Sequence, residues 1–301
     1  MATSIPQYAA CRLVEDRILE LETEASRKPD YNGIVVTEDT ILVIDYTGRN
    51  LQLYGRRDGK LLSTSHRLES YSNCVCLISK TEVAVCLSDN TIVILSFKSI
   101  ADVKLVKTLD VRRGVDLYHS VTKLNSSDKI VVSGWKWDGM LYWCVVNLKD
   151  LRVESTHKVC KGGFSFNRSH LAIKENIVYI SCLTNNSTVD GVYAYDILNP
   201  HTPKFVYRHD GFKPWSIMVD ERNFIYVCGL DSNSIHQLTD SGQLVTIHTL
   251  SSKPYGTFCD VKHGVLYTTS KDSSVITVYR MEYSNQPGVP IEILNMDNRS
   301  I

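Results

Sequence analysis

The sequence lacks the bulk features that assign a protein to polyanions or membranes. Its 33 basic residues balance 33 acidic ones, so it has no global attraction to nucleic acid or anionic lipid surfaces. No apolar run approaches the roughly 20 residues that cross a bilayer. Residues 1–8 lack the charged-then-apolar pattern of a signal peptide. We therefore predict a cytoplasmic globular protein with no membrane partner.

Common catalytic and metal-binding motifs are missing as well. The sequence contains no Gly-x-Gly-x-x-Gly, no phosphate-binding loop ending in Gly-Lys-Ser/Thr, no His-Glu-x-x-His and no Cys-x-x-Cys pair. The stretch Gly163–Asn167 lacks the last glycine of a nucleophile elbow. The nine cysteines are odd in number and scattered, which favours free thiols over a disulfide framework. These absences predict no enzyme, no metal and no cofactor.

A repeat organises the chain. Six short β-branched or aromatic runs recur at spacings of 40 to 48 residues, which is the period of a four-stranded propeller blade. The equivalent positions are Val43, Val85, Val132, Ile180, Val227 and Tyr267. Within a unit the inner runs are continuously apolar and the last run alternates with polar residues, as expected when only the outer strand is half-solvated. We predict an all-β, six-bladed propeller with blades at 31–67, 71–111, 118–159, 166–209, 215–250 and 255–283.

The sixth unit contains only three of its four strands. Residues 12–23 can supply the fourth and close the ring, which removes a sheet edge. Two alternatives are open: residues 289–294 can supply the strand instead, and residues 12–23 also fit a helical stripe. We favour the N-terminal strand, with residues 1–10 as a flexible leader and 284–301 as a tail.

The fifth unit carries the clearest family pattern: an apolar run ending in Asp220, then Phe224-Ile225-Tyr226-Val227, a polar loop with Asn233, and Asp240-Ser241-Gly242. This resembles an NHL repeat, and the whole resembles the propellers of invertebrate tripartite-motif NHL proteins. Units two to four follow the pattern less closely. The resemblance implies a propeller that binds proteins or RNA. Ubiquitin-ligase activity in that family belongs to a zinc-bearing RING and B-box region, which has no counterpart here.

One aromatic residue precedes each repeat landmark by 12 to 14 positions, at the expected start of each innermost strand. A closed ring would place all six around the mouth of the central channel. They either fill the channel mouth or pack as wedges between neighbouring blades, or they act as anchors for a partner. The six residues are Tyr31, Tyr71, Tyr118, Phe166, Trp215 and Tyr255.

Loops expected on the same face add basic and aromatic side chains. Trp135 and Trp137 should point the same way if their loop is extended, and they serve either as partner anchors or as local padding. Arginine and lysine beside aromatics also suit single-stranded RNA, by phosphate contact and base stacking. The further candidate binding residues are Arg49, Arg112, Arg113, Lys136 and Lys213.

The sequence favours a protein or peptide partner over RNA, because zero net charge gives no long-range steering. A channel-mouth metal-dependent hydrolase or lactonase is a third class. Its candidate ligands, Asp220 and Asp260, both lie seven residues before a landmark, which is typical of a turn in which Asp bonds its own backbone. Cys74 and Cys76 share one strand face and are interpreted as small buried hydrophobic residues.

Overall fold

The computed structural model describes residues 11–21, 28–57, 60–110, 116–124, 127–161, 168–184, 187–260, 262–270 and 273–283. Within these residues, 24 β-strands form six four-stranded antiparallel sheets. None of the described segments is a helix long and apolar enough to cross a membrane.

Each sheet is one blade, and in five of the six the strands are hydrogen-bonded in chain order from the channel outward. Blade 1 comprises β2 (Tyr31–Val36), β3 (Thr40–Asp45), β4 (Asn50–Arg57) and β5 (Lys60–Arg67). Blade 2 comprises β6 (Ser72–Ser79), β7 (Glu82–Leu87), β8 (Thr91–Ser99) and β9 (Asp102–Asp110). Blade 3 comprises β10 (Leu117–Lys123), β11 (Lys129–Trp135), β12 (Met140–Asn147) and β13 (Val153–Lys161).

The second half of the ring repeats this order. Blade 4 comprises β14 (Arg168–Lys174), β15 (Ile177–Leu183), β16 (Gly191–Asp196) and β17 (Phe205–Tyr207). Blade 5 comprises β18 (Pro214–Val219), β19 (Ile225–Gly229), β20 (Ser234–Leu238) and β21 (Leu244–Thr249). Blade 6 comprises β22 (Pro254–Asp260), β23 (Val265–Ser270), β24 (Val275–Tyr283) and, as its outer strand, β1 (Cys11–Glu20). The prediction of a six-bladed β-propeller is confirmed.

The ring is closed by the N-terminal strand, as predicted. β1 pairs antiparallel with β24 from Cys11 opposite Tyr283 to Glu20 opposite Val275. Just beyond the strand, Leu21 is buried in the hydrophobic cluster between blades 6 and 1. The helical alternative for this segment is therefore wrong, and the rival closing segment 289–294 lies outside the described residues.

The core lies between the blades. β3 is buried along its whole length, whereas the outer strand β13 alternates between half-buried and exposed residues over most of its length. Six hydrophobic clusters each join two neighbouring blades, including the pair that closes the ring. Sheets sandwiched in this way bury both faces of their inner strands, which explains the continuous apolar runs in the sequence.

A tight turn in blade 5 depends on a glycine. Gly242 has a φ of 81°, a left-handed conformation that glycine adopts at little cost. A Cβ atom added there would lie 2.3 Å from the ring of Phe205 in the neighbouring blade. The turn between β20 and β21 is therefore fixed both by backbone conformation and by close packing against blade 4.

Candidate binding surface at the channel mouth

The antiparallel order of each blade brings two kinds of segment to one end of the ring. The innermost strands begin there, and the turns between second and third strands return there. We call this end the channel-mouth face. It collects residues from every blade, whereas the turns between third and fourth strands lie at the opposite end.

A cavity of about 220 Å³ lies at the centre of this face. All six innermost strands contribute to its lining, so it sits on the axis of the ring. Its lining residues are Asp30, Asn32, Tyr46, Asn73, His119, Arg168, Ser169, His170, Trp215 and Tyr255.

Arg168 reaches across the channel. It starts β14 in blade 4, yet its Nη1 donates a hydrogen bond to Oδ1 of Asn73 in blade 2, at 3.1 Å. Its guanidinium carbon also lies 5.8 Å from the ring centroid of Tyr46 in blade 1. Within the described part of the chain, no carboxylate lies within 4.0 Å of this guanidinium. Arg168 is a half-buried cation held by neutral neighbours.

Stacked aromatic rings continue from Arg168 to the rim. Tyr46 stacks on Tyr71 with ring centroids 5.1 Å apart, and the guanidinium of Arg49 lies 4.1 Å from the centroid of Tyr71. The hydrogen bond and positive charge of Arg49 lower the pKa of the Tyr71 hydroxyl. Tyr71 keeps 37% of its surface exposed. Two arginines and two tyrosines thus form a continuous layered surface, which we call the Arg–Tyr stack.

Two aromatic residues and two histidines form the other wall of the cavity. Trp215 stacks on Tyr255 at 5.0 Å between centroids and lies 5.2 Å from the ring of His170. Burial lowers the pKa of His170 to about 3 and that of His119 well below its ordinary value, with Arg168 adding to both shifts. Both imidazoles are therefore neutral at pH 7.

The six predicted aromatic positions divide into different environments. Trp215 and Tyr255 line the cavity, and Tyr71 belongs to the Arg–Tyr stack. Tyr31 and Tyr118, with relative exposures of 0% and 1%, are buried in the clusters between blades. They lie between blades, as the wedging alternative expects, and offer no surface to a partner, so the aromatic positions do not all surround the channel mouth. Phe166 lies outside the described residues.

The place of each aromatic relative to a recurring register shift explains this difference. Trp215 and Tyr255 come one residue after the last pair before the shift, whereas Tyr31 and Tyr118 belong to that pair. The pairing register shifts near the start of the innermost strand in five blades, for example between Tyr118 and Ser120. A bulge of this kind re-aims the side chains beside it. In blades 1 and 3, the residue after the tyrosine, Asn32 or His119, faces the cavity instead. Sequence reasoning missed these two residues, although their position beside the periodic aromatic was the available signal.

The two loop tryptophans do not point the same way. Trp135 is the last residue of β11 and is buried between blades 3 and 4, whereas Trp137 lies in the following turn and is 73% exposed. The turn breaks the alternation on which the expectation depended. The backbone N–H of Trp137 donates to Oδ2 of Asp116 at 2.6 Å, which fixes the turn on the channel-mouth face.

Of the other predicted basic residues, one is paired with a carboxylate and one lies over an aromatic ring. Nζ of Lys213 is 2.8 Å from Oδ2 of Asp231, so its charge is largely compensated. Lys136 lies over the ring of Tyr142, 4.5 Å from its centroid. Arg112 and Arg113 lie outside the described residues.

The two repeated aspartates lie in turns. Oδ1 of Asp220 accepts from the backbone N–H groups of Arg222 and Phe224 at 2.8 and 2.9 Å, and Oδ1 of Asp260 accepts from that of His263. Cys74 and Cys76 pack against the cluster between blades 2 and 3, and burial raises the pKa of both thiols. The described residues contain no group of three or more His, Cys, Asp or Glu placed to hold a metal ion.

Comparison with known proteins adds the fold class. No protein-family model and no curated protein matches the chain. The WD40 β-propeller domain of Doa1 is 14% identical with a TM-score of 0.58, over 91% of this chain and 97% of that one. The β-propeller domain of Cps50 (Swd1) from Myceliophteria thermophila is 8% identical with a TM-score of 0.59, over 82% of each chain.

A luciferin-regenerating enzyme is also similar in structure, at 14% identity and a TM-score of 0.62, over 89% of this chain and 96% of that chain. The chain has the β-propeller fold. At these identities the similarity extends to the fold and to nothing finer, because one propeller architecture carries many unrelated functions.

Proposed function

We propose that this propeller is a non-enzymatic recognition module that binds a protein or peptide on its channel-mouth face. The observation that carries the proposal is the Arg–Tyr stack next to the central cavity. Binding hot spots are dominated by arginine and by aromatic residues whose rigid rings carry a polar group. Here they lie in one continuous surface that leads from the rim to a concave site.

Exposed Trp137 extends this surface on the blade 3 side. A tryptophan that is 73% exposed at a turn tip contributes nothing to the core, whereas a partner that covers it gains a large apolar contact. We propose Trp137, Arg49 and Tyr71 as rim anchors, with Trp215 and Tyr255 deeper in the cavity. Tyr31, Tyr118 and Trp135 are not part of this proposal because they are buried.

We also propose that the blades are of the NHL type. The support is local. Asp220 directly follows the first strand of blade 5 and accepts backbone hydrogen bonds in the turn after it. It also accepts hydrogen bonds from the hydroxyls of Tyr226 and Tyr283 at 3.1 and 2.7 Å. The aspartate and the tyrosine of the Ile-Tyr-Val run therefore act together in holding the repeat.

Single-stranded RNA is the second candidate partner, and the Arg–Tyr stack is also the observation that favours it. Tyrosine rings flanked by guanidinium groups can stack on bases and contact phosphates. We place it second because the chain has a net charge of zero, and a site that binds several phosphates needs more uncompensated cations.

Selection from a phage-displayed random peptide library, followed by measurement of Kd for the enriched peptides, tests the proposal. Trp137→Ala and Arg49→Ala should each weaken binding by about 2 kcal/mol if they act as hot spots. Leu198→Ala is the matched control, since Leu198 is 79% exposed in the turn after β16 at the opposite end of the ring.

Equal loss of binding in the Leu198→Ala variant would contradict the channel-mouth location. Filter binding of a random single-stranded RNA pool at low and raised salt separates the two partner classes. Tight binding that falls steeply with salt, without peptide enrichment, would favour RNA.

A further inference from the structure

The central cavity contains polar atoms with unused hydrogen-bonding capacity. Oδ1 of Asn32, Nδ1 of His119 and Nε1 of Trp215 have no hydrogen-bond partner among the described residues. All three residues line the cavity, and their relative exposures are only 7%, 9% and 6%. Buried polar atoms nearly always have partners in native proteins, so three such atoms around one small space indicate a polar ligand.

The charges around the cavity restrict the sign of that ligand. Arg168 is the one cation among the described lining residues, since His119 and His170 are neutral. Among the described residues the one hydrogen-bond partner of its guanidinium is the neutral amide of Asn73, and half-buried guanidinium groups gain most from a carboxylate or phosphate. Asp30 also lines the cavity, and its negative charge repels any anion, a doubly charged one more strongly than a singly charged one.

We propose that the cavity binds a single carboxylate carried by a partner segment. Arg168 forms the ion pair, and the indole N–H of Trp215 and Nδ1–H of His119 donate to the carboxylate oxygens. Oδ1 of Asn32 accepts an N–H of the same segment. The proposal rests on the proposed function, because it names the chemistry that a peptide on the channel-mouth face presents to the axis.

Two other ligand classes fit less well. A phosphate carries up to two negative charges at pH 7, whereas Arg168, the one cation among the described lining residues, can pair with only one of them. A lysine or arginine side chain would bring a second cation next to Arg168, and like charges at short range repel. A carboxylate matches both the charge and the planar geometry of the guanidinium.

The indole N–H resonance of Trp215 gives a site-specific assay. The chain has four tryptophans, so its ¹H–¹⁵N spectrum contains only four indole signals. The signal that disappears in the Trp215→Phe variant belongs to Trp215. The probes are capped pentapeptides, Ac-Gly-Gly-Glu-Gly-Gly-NH2 and its Gln, Lys and phosphoserine counterparts. A fifth probe, Ac-Gly-Gly-Gly-Gly with a free carboxylate, separates a side-chain source from a chain terminus.

We expect a carboxylate probe to move the Trp215 resonance downfield and to bind at least about tenfold more tightly than the Gln probe, as a charge-assisted hydrogen bond requires. Arg168→Gln should reduce this affinity to that of the Gln probe. Lys213→Gln is the matched control, because Lys213 lies on the same face but is paired with Asp231. The resonance of buried Trp143 reports whether each variant is folded.

Preference for either the Glu probe or the free terminus supports the proposal and identifies the source. Tighter binding of the phosphoserine or Lys probe, or no movement of Trp215 with any carboxylate, overturns it. The indole signal of Trp137 distinguishes failure of the carboxylate site from failure of the whole recognition face. If selected peptides move Trp137 but not Trp215, the carboxylate site is wrong and the recognition face stands; if they move neither, the recognition face is also wrong.

Discussion

His170 makes the stability of the propeller depend on pH in a direction that follows from its surroundings. It is 8% exposed beside Trp215, and burial, with the charge of Arg168, lowers its pKa to about 3. In the unfolded chain the imidazole titrates near its ordinary value of about 6.5. Between these two values the unfolded chain binds a proton that the folded chain does not. The stability that neutral His170 contributes is therefore fully present above pH 6.5 and is lost as the pH falls.

The size of this loss at pH 5 is insensitive to the depth of burial. Once the folded pKa lies well below 5, only the distance between pH 5 and the unfolded pKa matters. That distance of about 1.5 pH units corresponds to about 2 kcal/mol of unfolding free energy. A change of this size is a sizeable fraction of the stability of an ordinary domain.

Urea unfolding of the wild type and His170→Gln at pH 8 and pH 5 measures this contribution. Glutamine does not titrate in this range, so other titrating groups cancel in the comparison as long as they behave alike in both proteins. We expect acidification to cost the wild type about 2 kcal/mol more than the variant. Equal losses, within about 0.5 kcal/mol, would refute the reasoning and show that His170 is protonated or solvated in the folded state.

Three further tests concern core packing, ring closure and a tight turn. Trp135→Ala should cost about 3 to 5 kcal/mol in urea unfolding, as loss of a buried tryptophan does, while Trp137→Ala should cost less than about 0.5 kcal/mol; equal effects would contradict the assigned burial. Leu21→Asp should cost more than about 3 kcal/mol by burying an unpaired charge, whereas Ile18→Asp, at a 54% exposed position of β1, should be nearly neutral; a stable Leu21→Asp protein would place ring closure elsewhere. Gly242→Ala should lower stability by at least about 1 kcal/mol, because alanine is strained at a positive φ. An unchanged melting temperature would show that the turn does not require glycine.

The fold could be predicted because its strongest constraint is local and periodic. Sandwiched strands such as β3 must be apolar on both faces, and outer strands such as β13 must alternate, so each blade leaves the same pattern in the sequence. The need for a closing strand in blade 6 could be inferred from the same pattern, because the sixth unit contains only three of the four strands. Family membership could not be settled this way, because the pattern specifies sheets and turns but not the residues of a binding site.

The candidate site was predicted only in part, for two physical reasons. Tyr31 and Tyr118 stand one position before the residues that face the axis, Asn32 and His119, and no periodicity in the sequence specifies where the bulge falls. Arg168 contacts blades that are distant in sequence, so its position across the channel follows only from closure of the ring.

The pairing of β1 with β24 has a consequence for synthesis of the chain. Cys11 lies opposite Tyr283, so the first strand of the propeller to be synthesised pairs with the last one. Throughout translation of the intervening blades β1 lacks its partner strand, and its five charged residues among ten reduce the hazard of association with other nascent chains. The pairing of β1 with β24, which closes the ring of six blades, can form only after β24 has been synthesised.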